Sequence, residues 1–134
     1  VQPTVSTRTD ADMRTEHEAG AKHSYVRVAT WENFSRHDVE NTATLTMFYH
    51  SDKNQTTDFD ISNITIRNVT AHGTHNPDSG KKVKPGILHC QQSAPCHNIR
   101  LEDIVHVDVN TPFDCYNAHG TWRNVTPTPC LAPP

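Results

Sequence analysis

The chain has 134 residues, enough for a single domain, and only 34% of them are hydrophobic, which is low for a compact globular core. A formal net charge of -3 provides neither a basic patch for nucleic acid nor a polybasic face for a membrane surface, so neither partner is predicted. No apolar run approaches the length of a transmembrane helix, and the first residues lack the charged and apolar regions of a signal peptide. A secreted protein with this start is expected to be a processed or truncated form.

The first part of the chain, residues 1–24, is rich in Thr, His and charged residues and shows no sustained apolar period. It is expected to form an extended arm or an incomplete coil, and residues 25–134 are expected to form the folded domain. Within that domain, apolar alternation predicts a first strand from Val26 to Phe34 and another over residues 42–49.

One short pattern, bulky apolar, charged, Asn or Asp, bulky apolar, recurs at a constant spacing. It occupies Trp31-Glu32-Asn33-Phe34, Ile66-Arg67-Asn68-Val69 and Leu101-Glu102-Asp103-Ile104, so that its third residues lie 35 positions apart, twice. The neighbouring apolar residues alternate with the period of a strand. A recurrence at fixed spacing is typical of repeat architectures, in which each unit buries its apolar face against its neighbours.

The third residue of each pattern, Asn33, Asn68 or Asp103, also supports a repeat architecture. Such side chains tolerate the left-handed backbone conformation of a sharp turn and can bond to nearby backbone groups. Stacked in successive coils, they would form a polar ladder like those of other stacked strands. The sequence therefore predicts an all-β fold, a parallel β-helix solenoid of about three coils. The alternative is an antiparallel sandwich whose strands share this spacing.

The remaining segments are predicted from their turn-forming residues. Residues 73–85 have the Gly, Pro, Asn and Ser content of a surface loop. Residues 86–90 and 113–116 predict short strands, and residues 117–134, which are rich in Gly and Pro, are expected to form a closing loop.

Four cysteines fall as two close pairs, Cys90 with Cys96 and Cys115 with Cys130. An even count with short spacings suits disulfides and therefore a secreted, extracellular protein. A disulfide that closes a loop of this size stabilises the folded state by roughly 2 to 3 kcal/mol before strain. The second pair would close the C-terminal loop.

Five Asn-x-Ser/Thr sequons predict N-linked glycans on a secreted glycoprotein. Asn33 and Asn68 belong to the predicted ladder, where a side chain facing a neighbouring coil is poorly placed to accept a glycan. Asn54, Asn63 and Asn124 are expected to be exposed and to be the better acceptors.

Ten histidines raise the question of a metal site, and His72 and His75 are the closest pair. Zinc sites need three or four converging ligands, and no further ligand motif accompanies this pair. Solvated surface imidazoles are therefore predicted, with no metal site and no cofactor.

The stretch from Cys90 to Ile104, CQQSAPCHNIRLEDI, resembles the C-terminal coils of glycoside hydrolase family 28, the polygalacturonases and rhamnogalacturonases. In that family a Cys-x5-Cys staple leads directly into an Asn-Ile-x-Leu-Glu-Asp-Ile strand. The residues around Asn33 and Asn68 are similar to its preceding coils, and residues 115–131 are similar to its terminal disulfide loop. The resemblance covers residues 25–131 and implies a right-handed parallel β-helix.

The resemblance also implies action on pectin by inverting hydrolysis, in which one carboxylic acid protonates the leaving oxygen and a second carboxylate activates water. The family's acids lie in Asn-Thr-Asp and Asp-Asp motifs, which this sequence does not contain, so no catalytic residue is assigned. The family's Arg-Ile-Lys motif, which binds substrate carboxylates, would fall at Asp12-Met13-Arg14. Only Arg14 keeps the charge and is the substrate-binding candidate; the alternative is a solvated charge on an arm.

Two functional hypotheses follow. In the first, the chain is the C-terminal part of a secreted pectin-hydrolase-like glycoprotein, inactive alone because the acids lie in missing upstream coils. In the second, it is a non-catalytic extracellular structural glycoprotein that assembles with itself into fibrils, because open β-helix ends expose unpaired strand edges. The expected partners are N-linked glycans, a pectic polysaccharide, and either upstream coils or a second copy.

Overall fold

The computed structural model describes residues 11–18, 24–38, 41–49, 59–73, 80–107, 109 and 111–134. These residues form β-strands joined by turns and loops, and they include no helix with the length and apolar character needed to cross a membrane. In chain order the strands are β1 (Ala11–Glu18), β2 (Ser24–Val26), β3 (Ala29–His37), β4 (Asn41–Tyr49), β5 (Phe59–His72), β6 (Ile87–His89), β7 (Cys96–Val107), β8 (Asp114–Tyr116) and β9 (Ala118–Thr126).

The strands form two sheets, and the chain passes repeatedly from one sheet to the other. One sheet has the order β1-β4-β6-β8, and the other has the order β2-β5-β7-β9, with β3 also paired to β5. Every pairing between these strands is parallel. The fold is therefore all-β with parallel strands, as predicted, and parallel pairing is not the pairing of an antiparallel sandwich.

The register repeats at a fixed spacing through β3, β5 and β7. Ala29 is the partner of Ile64, and Ile64 is the partner of Ile99, so that corresponding residues lie 35 positions apart. This spacing agrees with the predicted repeat. Ile99 then pairs with Gly120 of β9, where corresponding residues lie only 21 positions apart.

Apolar side chains at equivalent positions of successive strands form one buried cluster. Phe34, Val69, Ile104 and Val125 make one such column, and the last three are buried. Burial of a side chain of this size contributes about 1.5 to 3 kcal/mol relative to exposure. The cluster also includes Leu45 of β4 and Leu88 of β6 from the other sheet, together with Cys90 and Cys96.

The C-terminal segment differs from the predicted closing loop, because Ala118–Thr126 forms β9 and pairs with β7. The sequence Trp122-Arg123-Asn124-Val125 repeats the apolar, charged, Asn, apolar pattern. The loop prediction is wrong there because this copy of the pattern follows the previous one after 21 residues and not after 35. β9 still pairs in parallel with β7, although the segment that connects the two strands is shorter than the earlier connections.

The predicted surface loop at residues 73–85 is also wrong in its last part. Val83 and Pro85 are buried, and the backbone N–H of Thr42 donates to the carbonyl of Lys84 at 3.2 Å. Burial of these two apolar side chains is favourable because it removes apolar surface from water. Residues 74–79 lie outside the described residues.

The predicted N-terminal arm or incomplete coil contains a strand. Ala11–Glu18 forms β1 and pairs in parallel with β4, beginning with Ala11 opposite Asn41. Ser24–Val26 forms β2 on β5. The division of the chain into residues 1–24 and 25–134 stays a prediction.

One buried histidine is expected to make the stability of this fold depend on pH. His106 is buried among core residues, and its Nδ1 lies 3.3 Å from the carbonyl oxygen of Thr126. Burial lowers the pKa of His106, because the charged imidazolium loses its hydration, and the hydrogen bond to the carbonyl offsets only part of this effect.

We expect the free energy of unfolding to decrease as the pH is lowered below about 6.5, the pKa of an unperturbed histidine. The folded state binds the proton more weakly than the unfolded state, so the stabilisation is complete above the unfolded pKa and is lost below it, by at most about 1.4 kcal/mol per pH unit. Urea denaturation between pH 7.5 and pH 5 measures this slope. His106→Asn should have a shallower slope; parallel slopes in both proteins would contradict the assignment.

Candidate functional site

A column of Asn and Asp side chains lies at one corner of the fold, and we call it the first ladder. Asn33, Asn68, Asp103 and Asn124 occupy equivalent positions in β3, β5, β7 and β9, and their φ angles are 62°, 54°, 52° and 54°. Asn68 Nδ2 donates to Asn33 Oδ1 at 2.6 Å, and Asn124 Nδ2 donates to Asp103 Oδ1 at 3.0 Å. The three residues of the predicted ladder thus share one corner, and Asn124 adds a fourth level.

A second ladder lies at the preceding corner. Asn63 and Asn98 have φ angles of 56° and 55°, and Asn98 Nδ2 donates to Asn63 Oδ1. Asn117, with a φ of 52°, donates through Nδ2 to the carbonyl oxygen of Cys90 at 3.1 Å. Each asparagine combines a left-handed turn with a hydrogen bond to a neighbouring level, which are the two properties that favour this residue there.

The ladders change the expectation for the sequons. Asn63 and Asn124 were expected to be exposed acceptors without a ladder role, but both are ladder residues, and both are exposed. Asn33 and Asn68 are exposed as well. Asn54 lies outside the described residues. Exposure therefore does not separate Asn63 and Asn124 from Asn33 and Asn68 as glycan acceptors, and glycan attachment stays a prediction.

Charged residues alternate in the column beside the first ladder. Glu32, Arg67, Glu102 and Arg123 are successive partners across β3, β5, β7 and β9. Arg67 Nε donates to Glu32, and Arg123 Nη2 donates to Glu102 at 2.8 Å. The hydrogen bond to Glu32 is the main reason why the pKa of Arg67 is raised, and that to Glu102 does the same for Arg123. These pairs are exposed and screened by solvent, so they specify register more than they add stability.

The outward face of the β1-β4-β6-β8 sheet carries a polar cluster formed by His89, Asp114 and Tyr116. His89 Nε2 lies 3.0 Å from Asp114 Oδ2, and the centroids of the His89 and Tyr116 rings lie 4.4 Å apart. Leu88, the residue before His89, is buried, and its partner Cys115 separates Asp114 from Tyr116 in sequence. Because side chains alternate between the two faces of a sheet, the cluster lies on the face opposite Leu88. Such a surface combines an aromatic ring with hydrogen-bonding groups, a combination that suits sugar hydroxyls and sugar rings.

Arg14, the predicted substrate-binding residue, lies in β1 on this same sheet. Its backbone is the partner of Thr44, which is the partner of Ile87, which is the partner of Asp114. The backbone therefore places Arg14 and Asp114 in one row across four strands. The side chain of Arg14 lies outside the described residues, and its binding role stays a prediction.

The described residues contain no group of three His, Cys, Asp or Glu side chains that could hold a metal ion. His72 stacks on His37, with ring centroids 4.9 Å apart, while His75 lies outside the described residues. His37 and His72 are partners in the pairing of β3 with β5, so their stacking follows from the register of these strands.

Two disulfides close the C-terminal half, and they join the cysteines as predicted. Cys90 is bonded to Cys96, and Cys115 is bonded to Cys130. The tail beyond Cys130 returns to β9, where Gly120 N–H donates to the Ala132 carbonyl and Ala132 N–H donates to the Ala118 carbonyl, both at 2.9 Å. The tail therefore covers the first part of the outer edge of β9.

Sequence reasoning missed three groups of residues, for two different reasons. The second ladder and the charge column could have been found, because Asn63 with Asn98 and Glu32 with Arg67 lie 35 positions apart. The cluster of His89, Asp114 and Tyr116 had no such signal, since it depends on the register of two three-residue strands.

Comparison with known proteins gives one curated relative that matches significantly. The chain is 29% identical over 128 residues to a probable polygalacturonase of Arabidopsis thaliana, and the match covers 80% of this chain. It spans 27% of that polygalacturonase's length. No family model matches the chain, and no solved structure matches it significantly. The chain is thus similar, over most of its length, to about a quarter of a polygalacturonase.

Proposed function

We propose that this chain forms consecutive coils of a right-handed parallel β-helix in a secreted polygalacturonase-like glycoprotein that binds and hydrolyses pectic polysaccharide. The observation that carries the proposal is the parallel register of β3, β5 and β7 at a constant 35-residue spacing. The similarity to a polygalacturonase supports the same conclusion. The two disulfides are compatible with an extracellular protein.

In this proposal the chain's own residues hold the polysaccharide, and the two acids of inverting hydrolysis come from coils outside the sequence. The outward face of β1, β4, β6 and β8 is the binding surface. Arg14 pairs with a galacturonate carboxylate, as arginine does with carboxylates generally. The His89 and Tyr116 rings, in contact at 4.4 Å, provide an aromatic surface further along the sheet.

Polysaccharide binding is tested by affinity electrophoresis of the 134-residue chain in native gels that contain polygalacturonate. We expect slower migration than in a gel with a neutral glucan. Arg14→Ala should reduce this retardation, whereas Arg100→Ala, a change at an exposed residue of β7 in the other sheet, should not. Equal migration in both gels would contradict pectin binding.

Hydrolysis is tested separately by reducing-sugar release from polygalacturonate and from rhamnogalacturonan. The chain by itself should release no more than a heat-inactivated sample. Release above that control would show that the chain contains a catalytic pair after all.

A second candidate function, self-assembly, is favoured by the two ends of the charge column. Within the described residues, the charge column runs from β3 to β9, and it ends with Glu32 on β3 and with Arg123 on β9. Head-to-tail contact would place these opposite charges together and would not close, which produces a filament. Uniform filaments in electron micrographs would favour this candidate; dispersed single particles would favour the hydrolase.

A further inference from the structure

The four sequon asparagines of the described residues differ in how their amides are used. Asn33, Asn63, Asn68 and Asn124 are all exposed and all have a positive φ. Neither exposure nor backbone conformation therefore separates them. The direction of the ladder hydrogen bonds does, because an N-glycan is attached to Nδ2 and leaves Oδ1 unchanged.

Two of these asparagines donate through Nδ2 to the preceding level. Asn68 Nδ2 donates to Asn33 at 2.6 Å, and Asn124 Nδ2 donates to Asp103 at 3.0 Å. A sugar on either nitrogen would replace an amide hydrogen of the group that makes the ladder bond.

The other two asparagines accept in their ladders. Asn63 Oδ1 accepts from Asn98 Nδ2, and Asn33 Oδ1 accepts from Asn68 Nδ2. A glycan on Nδ2 of Asn63 or Asn33 leaves these acceptor oxygens in place. Both ladders can therefore keep their hydrogen bonds while the outermost asparagine of each ladder carries a sugar.

The surface next to Asn63 provides an independent argument. Val26 pairs with Ile61 and Ala29 pairs with Ile64, so Val28 occupies the position opposite Asn63. Val28 is an exposed large apolar residue, with 58% of its surface accessible. A sugar attached to Asn63 would cover this apolar side chain, which removes apolar surface from water.

We propose that Asn63, and secondarily Asn33, are the N-glycan acceptors of the described region, and that Asn68 and Asn124 keep free amides as structural ladder residues. This inference rests on the secretory route that the proposed function assumes. The donor is a lipid-pyrophosphate-linked oligosaccharide. Asn63 Nδ2 forms a bond to the anomeric carbon, the bond from that carbon to the pyrophosphate oxygen breaks, and the amide proton leaves to a base.

Site occupancy is measured on the full chain secreted from a eukaryotic host. An amidase removes N-glycans in ¹⁸O-water and marks each occupied asparagine, and trypsin then separates Asn63 from Asn68 by cutting after Arg67. We expect occupancy at Asn63 to exceed that at Asn68 and Asn124 at least about fivefold, the ratio that corresponds to one neutral hydrogen bond. Fragment ions distinguish Asn63 from Asn54, which lies on the same peptide.

A matched pair of variants removes each sequon but leaves its ladder asparagine. Thr65→Ala should increase electrophoretic mobility by one glycan, whereas Thr70→Ala should migrate with the parent protein. Occupancy at Asn68 or Asn124 equal to that at Asn63, or no glycan at Asn63, would overturn the inference. Polygalacturonate binding by enzymatically deglycosylated protein is a separate measurement, so failure of the proposed function leaves a different result from failure of this inference.

Discussion

Gly120→Ala is expected to lower the free energy of unfolding by about 3 kcal/mol or more, at or beyond the upper end of overpacking costs. A Cβ at this position would lie 1.9 Å from the Ile99 carbonyl oxygen and 2.7 Å from its carbonyl carbon. These are backbone atoms of the paired strand β7, which cannot rotate away as a side chain can. The substitution therefore has to separate β9 from β7 or shift the tail held by Ala132.

Gly80→Ala is the matched control, because an added Cβ there meets no atom within 4 Å. Gly80 has a φ of 69°, so its substitution costs only the left-handed strain of an L-residue, about 1 to 2 kcal/mol. Urea denaturation of both variants measures the difference. Equal loss of stability in the two would show that the close approach of β9 to β7 at Ile99 is not a constraint.

The first ladder shows how much of this fold a sequence pattern can predict. Asn33, Asn68 and Asp103 could be assigned to one corner because a constant spacing in the chain corresponds to a constant register between strands. The same spacing relates Asn63 to Asn98, but the sequon at Asn63 by itself indicates only an exposed acceptor. A residue can satisfy both descriptions, and only the direction of its hydrogen bond shows which role the amide nitrogen has.

Asn124 shows why the remainder could not be predicted. Its level follows Asp103 after 21 residues, because the segment between β7 and β9 is shorter than the earlier connections. Pairing requires the register of the strands and not a constant connection length. The contact of His89 with Asp114 depends in the same way on the pairing of β6 with β8, which no spacing in the sequence specifies.

Ile104→Ala is expected to lower the free energy of unfolding by about 2 to 5 kcal/mol, as for other large-to-small core substitutions. Ile104 is 3% exposed and lies between Val69 and Val125, so its truncation leaves a cavity that neighbours on both sides line.

Val105→Ala is the control for this substitution, because Val105 is the next residue of β7 and is 39% exposed on the opposite face. Its substitution should change the free energy of unfolding by about 0.5 kcal/mol, the usual range for surface positions. Urea denaturation of both variants at pH 7.5 measures the contrast. If Val105→Ala were the more destabilising change, Ile104 would not face the core, and the stacked apolar column on which the proposed β-helix depends would be wrong.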